Sequence, residues 1–132
     1  VAVTLLNPQN EVFSVSTATT LRDGLKPCRG FAYRSTGTGA LTLTIVYSPA
    51  TKEVVRPHMV ELSKSGNHGF HIYCLPPEAW SELWVVRLEV SNSGKRYITF
   101  SRNVPQDIAQ KITAQWLAGA TIDTIIKTLR ST

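Results

Sequence analysis

Hydrophobic and polar residues alternate with a period of two over most of this chain, and the period changes only after residue 102. From Asn103 onward Val104, Ile108, Ile112 and Trp116 recur every fourth residue with Ala109 beside them, while Gln106, Asp107, Gln110 and Lys111 fall outside that row. This is one apolar stripe on an amphipathic helix. Asn103 is expected as its N-cap, Pro105 fits the first turn, and Asp107 places a negative charge at the positive end of the helix dipole. Gly119 supplies a left-handed C-terminal position and Thr121 a second cap. Ile122, Ile125, Ile126 and Leu129 then form a second stripe turned away from Asp123, Lys127 and Arg130. Isolated helices this short are marginal in water, so both stripes need an apolar surface to lie on.

The alternating part supplies one. Leu41, Leu43, Ile45 and Tyr47 oppose Thr42, Thr44, Val46 and Ser48, which predicts a strand over 40–48 with an apolar and a mainly hydroxyl face. A strand from Trp80 onward sets Trp84, Val86, Leu88 and Val90 against Leu83, Val85, Arg87 and Glu89, and after Asn92-Ser93-Gly94 a strand over 95–102 sets Ile98 and Phe100 against Tyr97, Thr99 and Ser101. Residues 1–6 and 11–16 are expected to form an opening hairpin around Asn7-Pro8-Gln9-Asn10. Residues 17–30 read as an irregular connection and 31–35 as a short strand. Residues 53–64 return from the 40–48 strand, with Pro57 marking an edge or a bulge. Residues 65–77 read as a long loop containing a short extended piece over 70–75.

The expected architecture is α+β. An antiparallel β-sheet in chain order, with an N-terminal hairpin, is covered on one face by two C-terminal α-helices. The chain is read as a single domain over 1–132, with sheet to residue 102 and the helical pair over 103–132. The helices should bury Leu43, Ile45, Val60, Leu62, Trp84, Val86 and Leu88 and leave the opposite face wet. An open sheet edge and two helical stripes call for more cover than one subunit supplies, so an intertwined homodimer is expected, with Ile108, Ile112, Trp116, Ile122, Ile125, Ile126 and Leu129 at the core and dimer contacts.

At 132 residues, 42% of them hydrophobic, the chain can bury a core without staples. Cys28 and Cys74 are too few for a disulfide framework, and VAVTLLNPQNEV lacks the basic region and apolar run of a signal peptide, so a cytoplasmic protein with free thiols is expected. No run approaches the roughly twenty apolar residues of a membrane span. Fourteen Lys and Arg against nine Asp and Glu give a net charge of +5, which favours a polyanionic partner.

Catalytic and metal chemistry find little support. His68, His71 and Cys74, with His58, have donor atoms but no paired zinc motif. No nucleophile motif surrounds either cysteine, and Thr36-Gly37-Thr38-Gly39 lacks the spacing and Lys-Ser/Thr ending of a phosphate loop. No enzyme, cofactor or metal is expected. Trp84 and Trp116 lie on core faces. On the wet face Thr42, Thr44, Arg87, Lys95, Tyr97 and Thr99 gather hydroxyls, cations and one aromatic ring, the groups that bond base edges and ribose, neutralise phosphate and stack on an unpaired base. An ordinary solvated sheet face has the same look. An alternative function is a small DNA-binding regulator using the terminal helices as a helix-turn-helix, with Asp123, Lys127 and Arg130 as readers.

The layout resembles the coat proteins of the small single-stranded RNA bacteriophages, the levivirus type. The matching features are the N-terminal hairpin, the hairpin from Leu41 to Leu62, the loop ending Leu75-Pro76-Pro77-Glu78-Ala79-Trp80, the strand after that Trp, and the two closing helices. The resemblance implies an icosahedral shell of dimers whose sheets are continuous across two subunits, whose helices reach over the partner, and which bind stem-loops of single-stranded RNA on the open face. It implies a virion protein, present in the host cytoplasm during assembly. Thr42 and Thr44 match the family's adenine-pocket hydroxyls. The family's other readers fall near Pro57, Met59, Leu83 and Val85, so the resemblance implies an RNA hairpin read differently or with weak sequence specificity, and the 92–102 turn and strand lengthen the sheet.

Overall fold

A computed structural model describes residues 3–5, 13–14, 29–35, 39–61, 67–73, 75 and 77–132. The two terminal helices are those the pattern predicts: α1 spans Gln106–Leu117 and α2 spans Ile122–Arg130. Ile112, Trp116, Ile125 and Leu129 are fully buried or nearly so, while Gln106, Asp107, Gln110, Lys111, Asp123, Lys127 and Arg130 are exposed. Gly119, at φ 103°, ends α1. Ala120 N–H bonds the Gln115 carbonyl at 3.0 Å and Gly119 N–H the Trp116 carbonyl at 3.1 Å, the paired closure of a Schellman motif. Thr121 Oγ1 then accepts from Thr124 N–H at 3.2 Å and caps α2.

The start of α1 differs from expectation. Pro105 holds the N-cap position and no side chain bonds the first turn. Asn103 faces the sheet instead: its Nδ2 donates to the Ser81 and Leu83 carbonyls at 3.0 and 2.7 Å, and its Oδ1 accepts from Ser101 Oγ at 2.7 Å.

The strands are β1 (Phe13–Ser14), β2 (Arg29–Ser35), β3 (Leu41–Ser48), β4 (Glu53–Val54), β5 (His58–Glu61), β6 (His68–Tyr73), β7 (Trp84–Val90) and β8 (Arg96–Phe100). They form an antiparallel sheet in the order β5-β6-β2-β3-β7-β8, with β1 beside β2 and β4 beside β3. The expected chain order is therefore corrected. One edge of β3 is taken along its length by β7, from Leu41 opposite Val90 to Tyr47 opposite Trp84. Its other edge is shared, β2 holding Leu41 and Thr42 and β4 holding Tyr47 and Ser48. The return strand therefore breaks at Pro57, which has no N–H to offer, and resumes as β5 on the far side of β6. Residues 68–73, expected within a loop, are an interior strand paired on both sides.

The N-terminal segments pair with other strands where they are described. Leu5 bridges Phe100 in parallel, with Phe100 N–H bonding the Thr4 carbonyl at 3.0 Å, and β1 pairs with β2. The rest of the expected hairpin, both cysteines and Leu62 lie outside the described residues.

Two cores flank the sheet. Beneath the helices, Ile45, Tyr47, Val86, Leu88, Ile98 and Phe100 meet Ile112, Trp116, Ile125 and Leu129, so the helical stripes are covered by the chain's own sheet. Val60, expected in this core, belongs to β5, at the opposite end of the described strand order from β7 and β8. On the opposite side Val46, Leu83 and Val85 pack with Phe31, Tyr73 and Trp80. Trp80 is not in a strand but in a 3-10 helix, Pro77–Glu82, and meets Tyr73 edge to face at 5.9 Å. The expected wet face is thus apolar at one end. No helix among the described residues is long and apolar enough to cross a membrane.

Candidate nucleic-acid interface

The other end of that face is polar because of register. On β3, β7 and β8 the residues of one parity face the helices, and those of the other parity line up across the opposite side. Thr44 stands opposite Arg87, and Arg87 opposite Thr99. One step along, Thr42 stands opposite Glu89, and Glu89 opposite Tyr97. Arg34 of β2 extends this second row, being opposite Thr42. Lys95 precedes β8 and holds its ammonium 5.4 Å from the centre of the Tyr97 ring. All six residues selected from the alternation, Thr42, Thr44, Arg87, Lys95, Tyr97 and Thr99, therefore meet on one surface.

Their accessibility differs. Tyr97 and Lys95 are exposed, Thr42, Arg87 and Thr99 are half-buried, and Thr44 is only 3% exposed. Thr44 belongs to the polar row next to the Val46–Val85 pair, which explains its burial. Arg87 Nε sits 2.8 Å from Glu89 Oε1, two residues along the same strand face. The contact is a charge pair without hydrogen-bond alignment, and Arg87 Nε, Thr44 Oγ1 and Thr99 Oγ1 are all buried with no hydrogen-bond partner. These three atoms belong to successive members of one cross-strand row. A buried polar group without a partner costs about 1–3 kcal/mol, so such a row is uncommon in a finished core.

Two members of this surface were not selected from sequence. Glu89 shares the parity of Arg87 and was legible as its neighbour. Arg34 was not, because its position depends on which strand β2 pairs with.

Strand β8 ends the order of the described strands, and beyond it the Thr4–Leu5 segment bridges Phe100. Ser91 N–H bonds the Lys95 carbonyl and Ser101 N–H the Val85 carbonyl, at 2.9 Å each, so the odd-numbered residues bond β7 and Arg96 and Ile98 turn their backbone groups outward. A cleft lined by Thr4, Ile98, Thr113 and Leu117 runs between this edge and α1, and Tyr97 and Leu117, 46% and 53% exposed, border it.

Among the other sequence candidates, His71 stacks on Tyr33 with ring centres 4.4 Å apart, and burial lowers its pKa. No three His, Cys, Asp or Glu side chains gather at metal-binding distance among the described residues. On α2, Lys127 and Arg130 are exposed, and Arg130 Nη2 lies 3.7 Å from Glu53 Oε2. No protein family, curated protein sequence or solved structure matches the chain.

Proposed function

We propose that this chain is a structural coat subunit of the RNA-bacteriophage type, a homodimer that builds an icosahedral shell and binds stem-loops of single-stranded RNA on the sheet face opposite its helices. The observation that carries the reading is the pair of cross-strand polar rows, in which hydroxyls, a guanidinium, an ammonium and an aromatic ring converge on one surface and three buried polar atoms have no partner. Phosphate takes cations and hydroxyl donors, and unpaired bases take rings and hydrogen-bonding edges. The antiparallel sheet with two C-terminal helices agrees with the layout such a subunit needs.

The dimer in this proposal forms along β8 on the Arg96 and Ile98 side of the Leu5–Phe100 bridge, where the outward backbone groups invite another strand. Because the helical stripes are already covered by their own sheet, the helices would meet the partner through the exposed end of α1 at Leu117 rather than through their apolar stripes. The helix-turn-helix alternative has less support, since the apolar side of α2 is spent on the sheet and Arg130 faces an acid.

Expressed protein should give uniform hollow particles by electron microscopy and a dimer by light scattering when assembly is blocked. In filter binding, Arg87→Ala and Lys95→Ala should weaken all RNAs and flatten the salt dependence, while Thr42→Ala and Thr44→Ala should chiefly reduce preference among stem-loops. A monomer without particles, binding no RNA, overturns the proposal.

A further inference from the structure

Within the two polar rows Glu89 is the only acid, and it stands at the centre of a surface read above as a polyanion site. A carboxylate repels phosphate and accepts hydrogen bonds without donating any. Its presence is productive only where the ligand offers N–H groups. Phosphate and ribose edges offer no N–H, whereas the exocyclic amino groups of bases do, and carboxylates accept from the amino group of cytosine in nucleic-acid readout.

Resting on the RNA reading above, we propose that Glu89 sets the base preference of this face by accepting the amino group of an unpaired base, and that the same step frees Arg87 for a phosphate. The geometry couples the two events. Glu89 is opposite Tyr97, so a base lying on that ring brings its edge to the carboxylate. The Glu89 side chain is 40% exposed and can be reached, while that of Arg87 is 19% exposed and its Nε is engaged only by the unaligned contact with Glu89. When a base amino group takes the carboxylate, the guanidinium loses its counter-charge between two hydroxyls, Thr44 Oγ1 and Thr99 Oγ1, that have no partner of their own. A phosphate oxygen can then pair with the accessible part of that guanidinium. Glu89 thus lowers affinity for RNA in general and restores it for RNA carrying the right base.

The test is fluorescence anisotropy of assembly-blocked dimers with oligocytidylate and oligouridylate of equal length: cytosine offers its 4-amino group, whereas the one N–H of uracil, at N3, lies between two carbonyl oxygens that repel a carboxylate. The parent protein should prefer cytidylate by about fivefold or more. Glu89→Gln, which keeps the volume and removes the charge, should bind uridylate several-fold more tightly, with a salt slope steeper by about 0.7, the increment for one further phosphate contact on a single strand. Its preference for cytidylate should fall toward one, because a neutral amide is a weaker acceptor. Glu89→Asp keeps the charge and shortens the reach, so uridylate binding should stay at the parental level while the preference falls. If Arg87→Ala weakens binding but Glu89→Gln alters neither slope nor preference, the role of Glu89 is overturned and the RNA reading stands. If the parent binds neither oligonucleotide, the RNA reading falls and this proposal with it.

Discussion

The guanidinium of Arg96 lies 4.1 Å from the centre of the Trp116 ring, and its Nη1 donates to the Trp116 and Ala120 carbonyls at 3.1 and 2.7 Å. A strand residue thereby finishes the C-terminal end of α1, where carbonyls lack helical partners and the dipole is negative. Trp116 replies by donating its indole N–H to the Tyr97 carbonyl at 2.9 Å. The end of the helix and the edge strand β8 are held together from both sides.

Arg96→Ala should therefore destabilise the fold by about 2–3 kcal/mol, from two charge-assisted hydrogen bonds and the ring contact. Arg96→Lys should recover little of it, since an ammonium cannot both lie flat on the indole and fork to two carbonyls. Urea unfolding followed by tryptophan fluorescence measures both variants.

Asn103 gives a second test, because its role was misjudged from sequence. As an N-cap it would be replaced without loss by Asp, which is an equally good cap. As the donor to the Ser81 and Leu83 carbonyls it cannot be, since a carboxylate has no N–H to give and would face two acceptors. Asn103→Asp should thus cost as much as Asn103→Ala, about 1–3 kcal/mol in the same unfolding assay.

These two residues show where the sequence was readable. The stripes Val104 to Trp116 and Ile122 to Leu129, the Gly119 stop and the Thr121 cap were legible because helix signals are local. The faces of β3 and β7 were legible for the same reason. Strand order was not, because a period of two tells which residues share a face and nothing about which strand lies alongside. HGFHIY was obscured by its glycine and two histidines, and became a strand only through pairing with β2 and β5. Thr44 looked wet because it is a threonine, yet its neighbours Val46 and Val85 carry a second core across that side. The polar rows were legible as members but not as rows, since Thr44–Arg87–Thr99 is a product of register.

Burial lowers the pKa of His71 below its ordinary value, and its ring stacks on Tyr33. The unfolded chain then binds a proton at a pH where the folded chain does not, so stability rises with pH through this window and falls as pH drops below about 6.5. Thermal unfolding between pH 7.5 and 5 should show the loss, and His71→Phe, which keeps a ring against Tyr33, should flatten it. An unchanged slope in that variant would assign the pH dependence to another group.

Folding and association depend on different residues of α1. Ile112 is fully buried against the chain's own sheet, so Ile112→Asp should unfold the subunit at a cost of several kcal/mol, whereas Lys111→Ala, one residue away on the wet side, should do little. Leu117 belongs to the same helix but is 53% exposed, and lines the cleft beside β8 together with exposed Tyr97. A charge there costs the isolated subunit almost nothing and the proposed β8 dimer a great deal, because a desolvated ammonium at an interface has no partner. Leu117→Lys should therefore keep the parental circular dichroism and unfolding midpoint while light scattering shows a monomer. A folded Leu117→Lys dimer would move the subunit contact away from β8, and a folded, assembling Ile112→Asp would contradict the burial that holds the helices on this sheet.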